Sequence, residues 1–137
     1  DQVLSDTKTV EELVRAVLEG IAFQIHDLAS AMAQDAGRQV AALRVDGGAA
    51  QNDLMMQFQA DLLGVEVVRP EVIETTGLGA ALLAGLSVGM FDGRSAVEGS
   101  WRAQKVFRPI MEPQERNLHL QKWRRAVERA QSGVHLA

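Results

Sequence analysis

Two short apolar segments on either side of one helical segment constrain the fold of this chain more than any other feature. Residues 40–45 are apolar apart from one arginine and run into a pair of glycines, while residues 65–68 stop just before a proline that could not donate to a sheet ladder. Between them, residues 53–63 form a helical segment that an asparagine can cap and a glycine can end. Because strands joined by a helix are parallel through a right-handed crossover, the sequence predicts a βαβ unit.

Three further helices are predicted around this unit. Residues 10–36 carry apolar side chains at helical spacing, and Thr9 followed by Glu12 is the capping-box pattern that starts a helix. Residues 77–90 form a helix of mostly small side chains that two preceding threonines can cap, and residues 113–131 form the last helix. Two parallel strands are too few for a sheet buried on both faces. The predicted fold is therefore α/β, with two parallel strands and flanking helices that belong to a larger sheet.

Composition excludes several functional classes. The chain has 137 residues and no cysteine, which excludes disulfide scaffolds, zinc knuckles, iron–sulfur sites and thiol catalysis. Its 14 basic and 18 acidic side chains give a net charge of -4, so we expect no nucleic-acid partner. No apolar run is long enough to span a bilayer and no secretion signal is visible, so we expect a cytoplasmic protein without a membrane partner. The histidines lack the spacing of metal ligands, and we assign no metal site to His26, His119 or His135.

The strongest candidate for a binding site is the turn between the first strand and its helix. Ligands bind outside the carboxyl ends of the strands in open α/β sheets, and here Gly47 and Gly48 leave the backbone without a Cβ. Asn52 adds a side-chain amide that can donate and accept hydrogen bonds. The alternative is a plain strand-to-helix turn with Asn52 as the cap, and the residues alone leave both interpretations open. Asp46 could act as a general base, but a carboxylate there more often ties down the turn by accepting hydrogen bonds from local backbone N–H groups.

The C-terminal region is basic. From residue 101 to the end, eight basic side chains accompany three acidic ones. Trp101 and Trp123 are not interleaved with these cations as a stacking platform for single-stranded nucleic acid requires. We therefore interpret residues such as Arg102 and Lys105 as ordinary helix surface rather than as a patch for an anionic partner.

Four segments together resemble a known protein family. They are LRVDGGA at residues 43–49, LMMQFQADLLG at 54–64, RPE at 69–71 and ETTGLGAA at 74–81. In this combination they resemble the C-terminal part of the FGGY carbohydrate kinases, and in particular the branch that phosphorylates glycerol. The resemblance covers essentially the whole chain, so we expect residues 1–137 to be the C-terminal portion of that family's C-terminal, nucleotide-binding domain.

The resemblance implies a fold and a ligand. FGGY kinases have a pair of actin-like, ribonuclease H-like ATPase domains, with ATP in the cleft between them and Mg²⁺ as its companion ion. The resemblance implies that Gly47, Gly48 and Ala49 form the adenosine-binding turn, with Gly48 closest to the nucleotide, and that Asn52 contacts the adenine. It also implies that the small-residue helix packs tightly near the nucleotide and the sheet.

The resemblance also implies an activity that this chain does not carry alone. Such a kinase transfers the γ-phosphate of ATP to glycerol, and the intact enzyme is a homo-oligomer, a dimer or tetramer. The family's catalytic aspartate, glycerol-binding residues and phosphate-holding loops lie upstream of the matched region, so we assign no catalytic residue and expect the isolated chain to be inactive. The alternatives are an FGGY kinase acting on a pentose or pentulose, and a non-catalytic actin-like interaction module. An unpaired sheet edge and uncovered apolar surface should make the isolated chain self-associate.

Overall fold

The computed structural model describes residues 9–93, 95 and 101–132, in which helices alternate with short strands. In chain order the elements are helix α1 (Val10–Ala36), strand β1 (Ala42–Arg44), a 3-10 turn (Gly48–Gln51), helix α2 (Asp53–Leu63), strand β2 (Glu66–Pro70), helix α3 (Thr75–Ser87), strand β3 (Ala103–Phe107) and helix α4 (Pro113–Ser132). None of the described helices is both long enough and apolar enough to cross a membrane.

Helices α1 and α2 have the predicted bounds because their caps are local. The N–H of Glu12 donates to the Oγ1 of Thr9 over 3.2 Å at the start of α1. Gly37, with a φ of 63°, ends α1, and Gly64, with a φ of 69°, ends α2. Both glycines adopt the left-handed conformation that other residues rarely adopt, so each helix stops where the sequence predicts.

Helix α3 differs from its predicted bounds at both ends. It begins at Thr75, so the threonines expected to cap it lie inside its first turn, and Glu74 occupies the cap position without a side-chain hydrogen bond. It ends at Ser87 rather than at residue 90. The reason is Gly89, whose φ of 73° reverses the chain while the N–H of Met90 donates to the carbonyl of Gly85 over 2.8 Å.

The sheet contains the predicted parallel pair and one strand that the sequence did not predict. Strand β1 pairs in parallel with β2, with Leu43 opposite Val67. Strand β3 pairs antiparallel with the other edge of β2, which places Phe107 opposite Val67 and makes the described sheet mixed, in the order β1-β2-β3. The prediction of two parallel strands alone was therefore incomplete. Lys105, interpreted as helix surface, lies in β3 and is exposed there.

Helix α2 lies between two hydrophobic clusters. On the sheet side its buried methionines pack with Val67 and Phe107. On the other side Leu62 packs with Ala22 and Phe23 of α1 and with Leu120 of α4. The indole of Trp123 stacks on the ring of Phe23 with centroids 5.1 Å apart, and its N–H donates to the carboxylate of Asp27 over 2.7 Å. These contacts join α1, α2 and α4 and fix α2 against the sheet.

Helix α3 does not pack closely through its first glycines. A Cβ added at Gly77 or Gly79 would meet no atom within 4 Å, whereas one at Gly85 would collide with the ring of Phe91. The prediction that the start of α3 packs tightly against the sheet is therefore wrong for the part of the chain that the structure describes.

Candidate functional site

The turn between β1 and α2 is built around Gly47. Its φ of 78° and ψ of 177° define a backbone conformation that side chains other than glycine rarely adopt. Its N–H donates to the carbonyl of Ile73 over 3.0 Å, and its own carbonyl accepts from the N–H of Ala50 over 3.2 Å. The turn is thereby tied to the segment that follows the neighbouring strand, at the carboxyl end of the parallel pair.

Gly48 occupies a different environment from Gly47. It is exposed, its φ is not positive, and an added Cβ would meet nothing within 4 Å. Neither backbone conformation nor packing among the described residues therefore requires a glycine at this position. Together with the exposed Ala49, Gly48 leaves a stretch of backbone that a flat ligand can approach without meeting a side chain larger than a methyl group.

Asn52 is the cap of α2 and keeps further hydrogen-bonding capacity. Its Oδ1 accepts from the N–H of Met55 over 3.1 Å, so the capping interpretation of this residue is confirmed. The bond uses only the side-chain oxygen. The side-chain nitrogen of Asn52 has no hydrogen bond to any described residue, and its two N–H groups can serve a ligand while the cap stays in place.

Asp46 ties the turn to α3. Its Oδ2 accepts a hydrogen bond from the hydroxyl of Thr75, the first residue of that helix. The sequence predicted that Asp46 would hold the turn through nearby backbone N–H groups, whereas the observed partner is a side chain that follows the next strand. The carboxylate has a structural contact that joins the two neighbouring loops.

Arg69 is the residue of this region that sequence reasoning missed. It lies in β2 with 7% of its surface exposed. Its Nη1 donates to the carbonyl of Ala50 over 2.7 Å and to the Oδ1 of Asp53 over 2.8 Å, and its Nε donates to the Oε1 of Gln104 over 2.7 Å. The available signal was an arginine directly after the predicted strand at residues 65–68 and directly before a proline. The observed strand β2 continues through both residues, and an unpaired charge buried in a strand is costly.

Asp53 receives two cations. The ammonium of Lys105 donates to its Oδ2 over 2.7 Å, and Arg69 binds the other carboxylate oxygen. The hydrogen bonds from Lys105 and then from Arg69 hold the pKa of Asp53 below its ordinary value. The carboxylate is therefore ionised throughout the neutral range and gives the first turn of α2 a negative charge, which favours a helix N-terminus.

A small cavity opens beside the turn. It has a volume of about 180 Å³ and is lined by Gln51, Arg69, Ile73 and Gln104. Four other cavities, of about 220 to 450 Å³, include no residue between positions 46 and 52. The turn therefore offers open backbone rather than an enclosed pocket.

The described histidines and carboxylates are not gathered into a metal-binding cluster. Within residues 9–93, 95 and 101–132 there is no group of three or more histidine or carboxylate side chains that could hold a metal ion. Asp46 and Asp53, the carboxylates nearest the turn, are engaged by a hydroxyl and by two cations. His26 lies 3.4 Å from Asp27, and His119 packs against the ring of Phe58. His135 lies outside the described residues.

Comparison with known proteins identifies relatives of this chain. A profile of the FGGY family of carbohydrate kinases, C-terminal domain, matches residues 3–88. Glycerol kinase of Myxococcus xanthus is 58% identical over 122 residues, which are 89% of this chain and 25% of that protein. Glycerol kinase of Aromatoleum aromaticum is 56% identical over the same length, again 89% of this chain and 25% of that protein.

Solved structures give the same relationship. The crystal structure of Plasmodium falciparum glycerol kinase with ADP superimposes with a TM-score of 0.75 at 38% identity, over 85% of this chain and 23% of that one. Ligand-bound xylulose kinase from Lactobacillus acidophilus superimposes with a TM-score of 0.73 at 26% identity, over 91% of this chain and 25% of that one. The chain thus spans about a quarter of the length of these relatives. Its profile match, its sequence identities and its fold agree: the chain belongs to the FGGY family of carbohydrate kinases.

Proposed function

We propose that this chain supplies the adenosine-binding turn of a glycerol kinase, and that residues 1–137 are the C-terminal portion of the nucleotide-binding domain. The intact enzyme would transfer the γ-phosphate of ATP to a terminal hydroxyl of glycerol, giving glycerol 3-phosphate. The observation that carries the proposal is Gly48, an exposed glycine that neither its φ nor its neighbours require. The relative with ADP in its crystal structure supports a nucleotide as the ligand.

In this proposal the residues of the turn have separate roles. Gly47 sets the direction of the backbone through its positive φ, while Gly48 and Ala49 let the nucleoside lie against the main chain. Asn52 donates from its side-chain nitrogen to an acceptor nitrogen of the adenine, because its oxygen already caps α2. The turn therefore orients one end of ATP and leaves the phosphates to other parts of the enzyme.

The chemistry of phosphoryl transfer explains why we expect no activity from this chain alone. Such transfer depends on positioning both reactants and on neutralising the charge that develops at the γ-phosphate. We assign no general base and no phosphate-holding loop to the described residues. ATP would bring Mg²⁺ to groups outside this chain.

The cytoplasmic location and homo-oligomeric state expected from the sequence remain predictions.

Identity favours glycerol over the other substrates of the family. The three glycerol kinases compared above are 38–58% identical to this chain, while the structurally similar xylulose kinase is 26% identical. The alternative of a pentose or pentulose kinase has no observation of its own in its favour. The alternative of a non-catalytic interaction module does not explain why position 48 is an exposed glycine.

Calorimetric titration with ADP and ATP tests the proposal. We expect weak binding by the 137-residue chain, near millimolar, because only part of the cleft is present. Gly48→Val should abolish the binding heat by filling the space over the backbone, and Asn52→Ala should weaken it. Gly20→Val is the matched control, because a Cβ at Gly20 of α1 also meets nothing within 4 Å and lies away from the turn.

Two results would contradict the proposal. The first is the absence of binding heat at millimolar nucleotide, or unchanged binding in both Gly48→Val and Asn52→Ala, which would favour the interaction module. The second is ATP-dependent formation of glycerol 3-phosphate by the purified chain, which would show that it contains the catalytic groups we assign elsewhere.

A further inference from the structure

The side chain of Arg69 makes hydrogen bonds outside the sheet that the pairing of its own strand does not require. It is buried in the central strand, and its guanidinium lies 5.4 Å from the centre of the Phe107 ring. All three hydrogen bonds of its side chain to described residues go to other elements: to Ala50 in the 3-10 turn, to Asp53 at the start of α2 and to Gln104 in β3. One side chain thus joins β2 to the turn, the helix and the third strand.

The positions of these bonds along the chain are informative. Ala50 and Asp53 flank the dipeptide at residues 51–52, which contains the proposed adenine contact. A single nitrogen of Arg69 donates to both flanks, over 2.7 Å and 2.8 Å. Because a guanidinium is rigid and planar, these two bonds fix the direction in which the chain leaves the turn and enters the helix. Lys105 holds Asp53 from the other carboxylate oxygen over 2.7 Å.

The cost of burying Arg69 indicates that its hydrogen bonds, rather than the volume of its side chain, are what this position requires. A buried cation loses its hydration, and an apolar side chain of similar size can often replace a buried ion pair without loss of stability. An apolar side chain beside Phe107 could fill the same space. It could not hold the carbonyl of Ala50 in place, and a buried carbonyl without a partner is itself costly.

We infer that Arg69 is a positioning residue for nucleotide binding: it holds Ala50 and Asp53 so that the backbone of Gly48 and the side chain of Asn52 face the ligand together. The inference rests on the proposed function for the identity of the ligand. It adds a residue outside the turn, which acts through the carbonyl and carboxylate that it binds and does not itself touch the nucleotide.

Three variants of the 137-residue chain test this inference. Arg69→Met keeps the length of the side chain and removes its donors, while Arg69→Lys keeps the charge but can satisfy only part of the hydrogen-bond set. Arg108→Met is the matched control, because Arg108 forms an exposed ion pair with Glu66 at the start of β2, away from the turn. The measurements are ADP affinity by titration and amide hydrogen exchange, at a temperature where each variant is folded.

We expect Arg69→Met to weaken ADP binding about tenfold or more, which corresponds to about 1.4 kcal/mol, and Arg69→Lys to recover part of the loss. The amide of Met55, bonded to Asn52, should exchange faster in Arg69→Met while that of Val67 in β2 changes less. Arg108→Met should leave both measurements unchanged. If Arg69→Met does not fold, Arg69→Lys carries the same test.

Failure of this inference is distinguishable from failure of the proposed function. If the unmodified chain binds ADP and Arg69→Met or Arg69→Lys binds it equally well, Arg69 does not position the site, although the turn remains a nucleotide site. If the unmodified chain does not bind ADP, the proposed function fails, and the exchange measurement still decides whether Arg69 orders the turn. Equal exchange changes at Met55 and Val67 would overturn the positioning role.

Discussion

Helices α2 and α3 each follow a strand of the parallel pair, yet only α2 is well packed among the described residues. Six residues of α2 are buried, against Gly85 alone in α3. Helix α2 packs on the sheet and on α1, whereas Leu83 of α3 is 69% exposed. Two helices that each follow a parallel strand can therefore differ in how much of their surface the rest of the same chain buries. The site proposed for the nucleotide lies at the start of the well-packed helix.

The largest expected effect is self-association of the chain through the exposed apolar side chains in and directly after α3. Exposed apolar side chains such as Leu83, Val88 and Met90 should cause association, at least doubling the mass measured by light scattering at high concentration. The double variant Leu83→Asp/Met90→Asp should reduce this association, whereas Gln131→Asp on the exposed surface of α4 should not. A constant monomer mass over a wide concentration range would contradict the prediction.

The next largest effect separates the cores of the two helices. Leu62 in α2 is 1% exposed, so Leu62→Ala should lower the free energy of unfolding by about 2–5 kcal/mol through lost burial and the cavity that it leaves. Leu83→Ala in α3 should change it by less than about 0.5 kcal/mol. Urea denaturation measures both values. Equal losses would mean that α3 is as firmly packed as α2.

A smaller effect separates the two helix starts. Asn52→Ala removes the cap of α2 and should cost about 1 kcal/mol, while Glu74→Ala removes a cap residue of α3 that makes no side-chain bond. Asn52→Asp keeps the accepting oxygen and loses the N–H groups. It should therefore retain stability in denaturation and lose ADP binding in titration. Loss of stability in Asn52→Asp, or retained binding, would contradict the division of roles at Asn52.

The smallest expected effect is a pH dependence at the start of α2. The hydrogen bonds from Lys105 and Arg69 lower the pKa of Asp53 below its ordinary value near 3.8, so they contribute stability above that value and lose it as pH falls through the folded pKa. Titration of the Asp53 carboxyl by NMR should show a higher midpoint in Lys105→Met than in the unmodified chain. Equal midpoints would mean that the Lys105 pair does not persist in solution, as is common for exposed ion pairs.

The parts of the fold that the sequence predicted are those with local signals. Capping residues and terminating glycines lie within one turn of the helix end that they determine, so the bounds of α1 and α2 follow from Thr9, Gly37, Asn52 and Gly64. Strand β3 has no comparable signal. Only Val106 and Phe107 in it are large and apolar, and its partner β2 lies more than thirty residues away in the sequence.

The missed strand also explains the missed site residue. Arg69 follows the predicted strand at residues 65–68, where a charged residue is normally interpreted as facing solvent. Its burial depends on Gln104 and Phe107 of β3. Gly48 and Asn52 could be proposed from a strand, two glycines and a helix start. That they bind adenosine remains a prediction, while the shape of the turn and the cap of α2 are established by the described contacts.

The hydrogen bond from Arg69 to Gln104 has a thermodynamic consequence for any ligand of the turn. It joins the turn to β3, so opening of β3 removes a contact from the residue that orders the turn. A ligand that binds only the ordered turn would favour the closed sheet by mass action, and chain molecules with an open β3 would lower the apparent affinity in proportion to their population. Ligand binding at the turn and the pairing of β3 with β2 are then thermodynamically coupled.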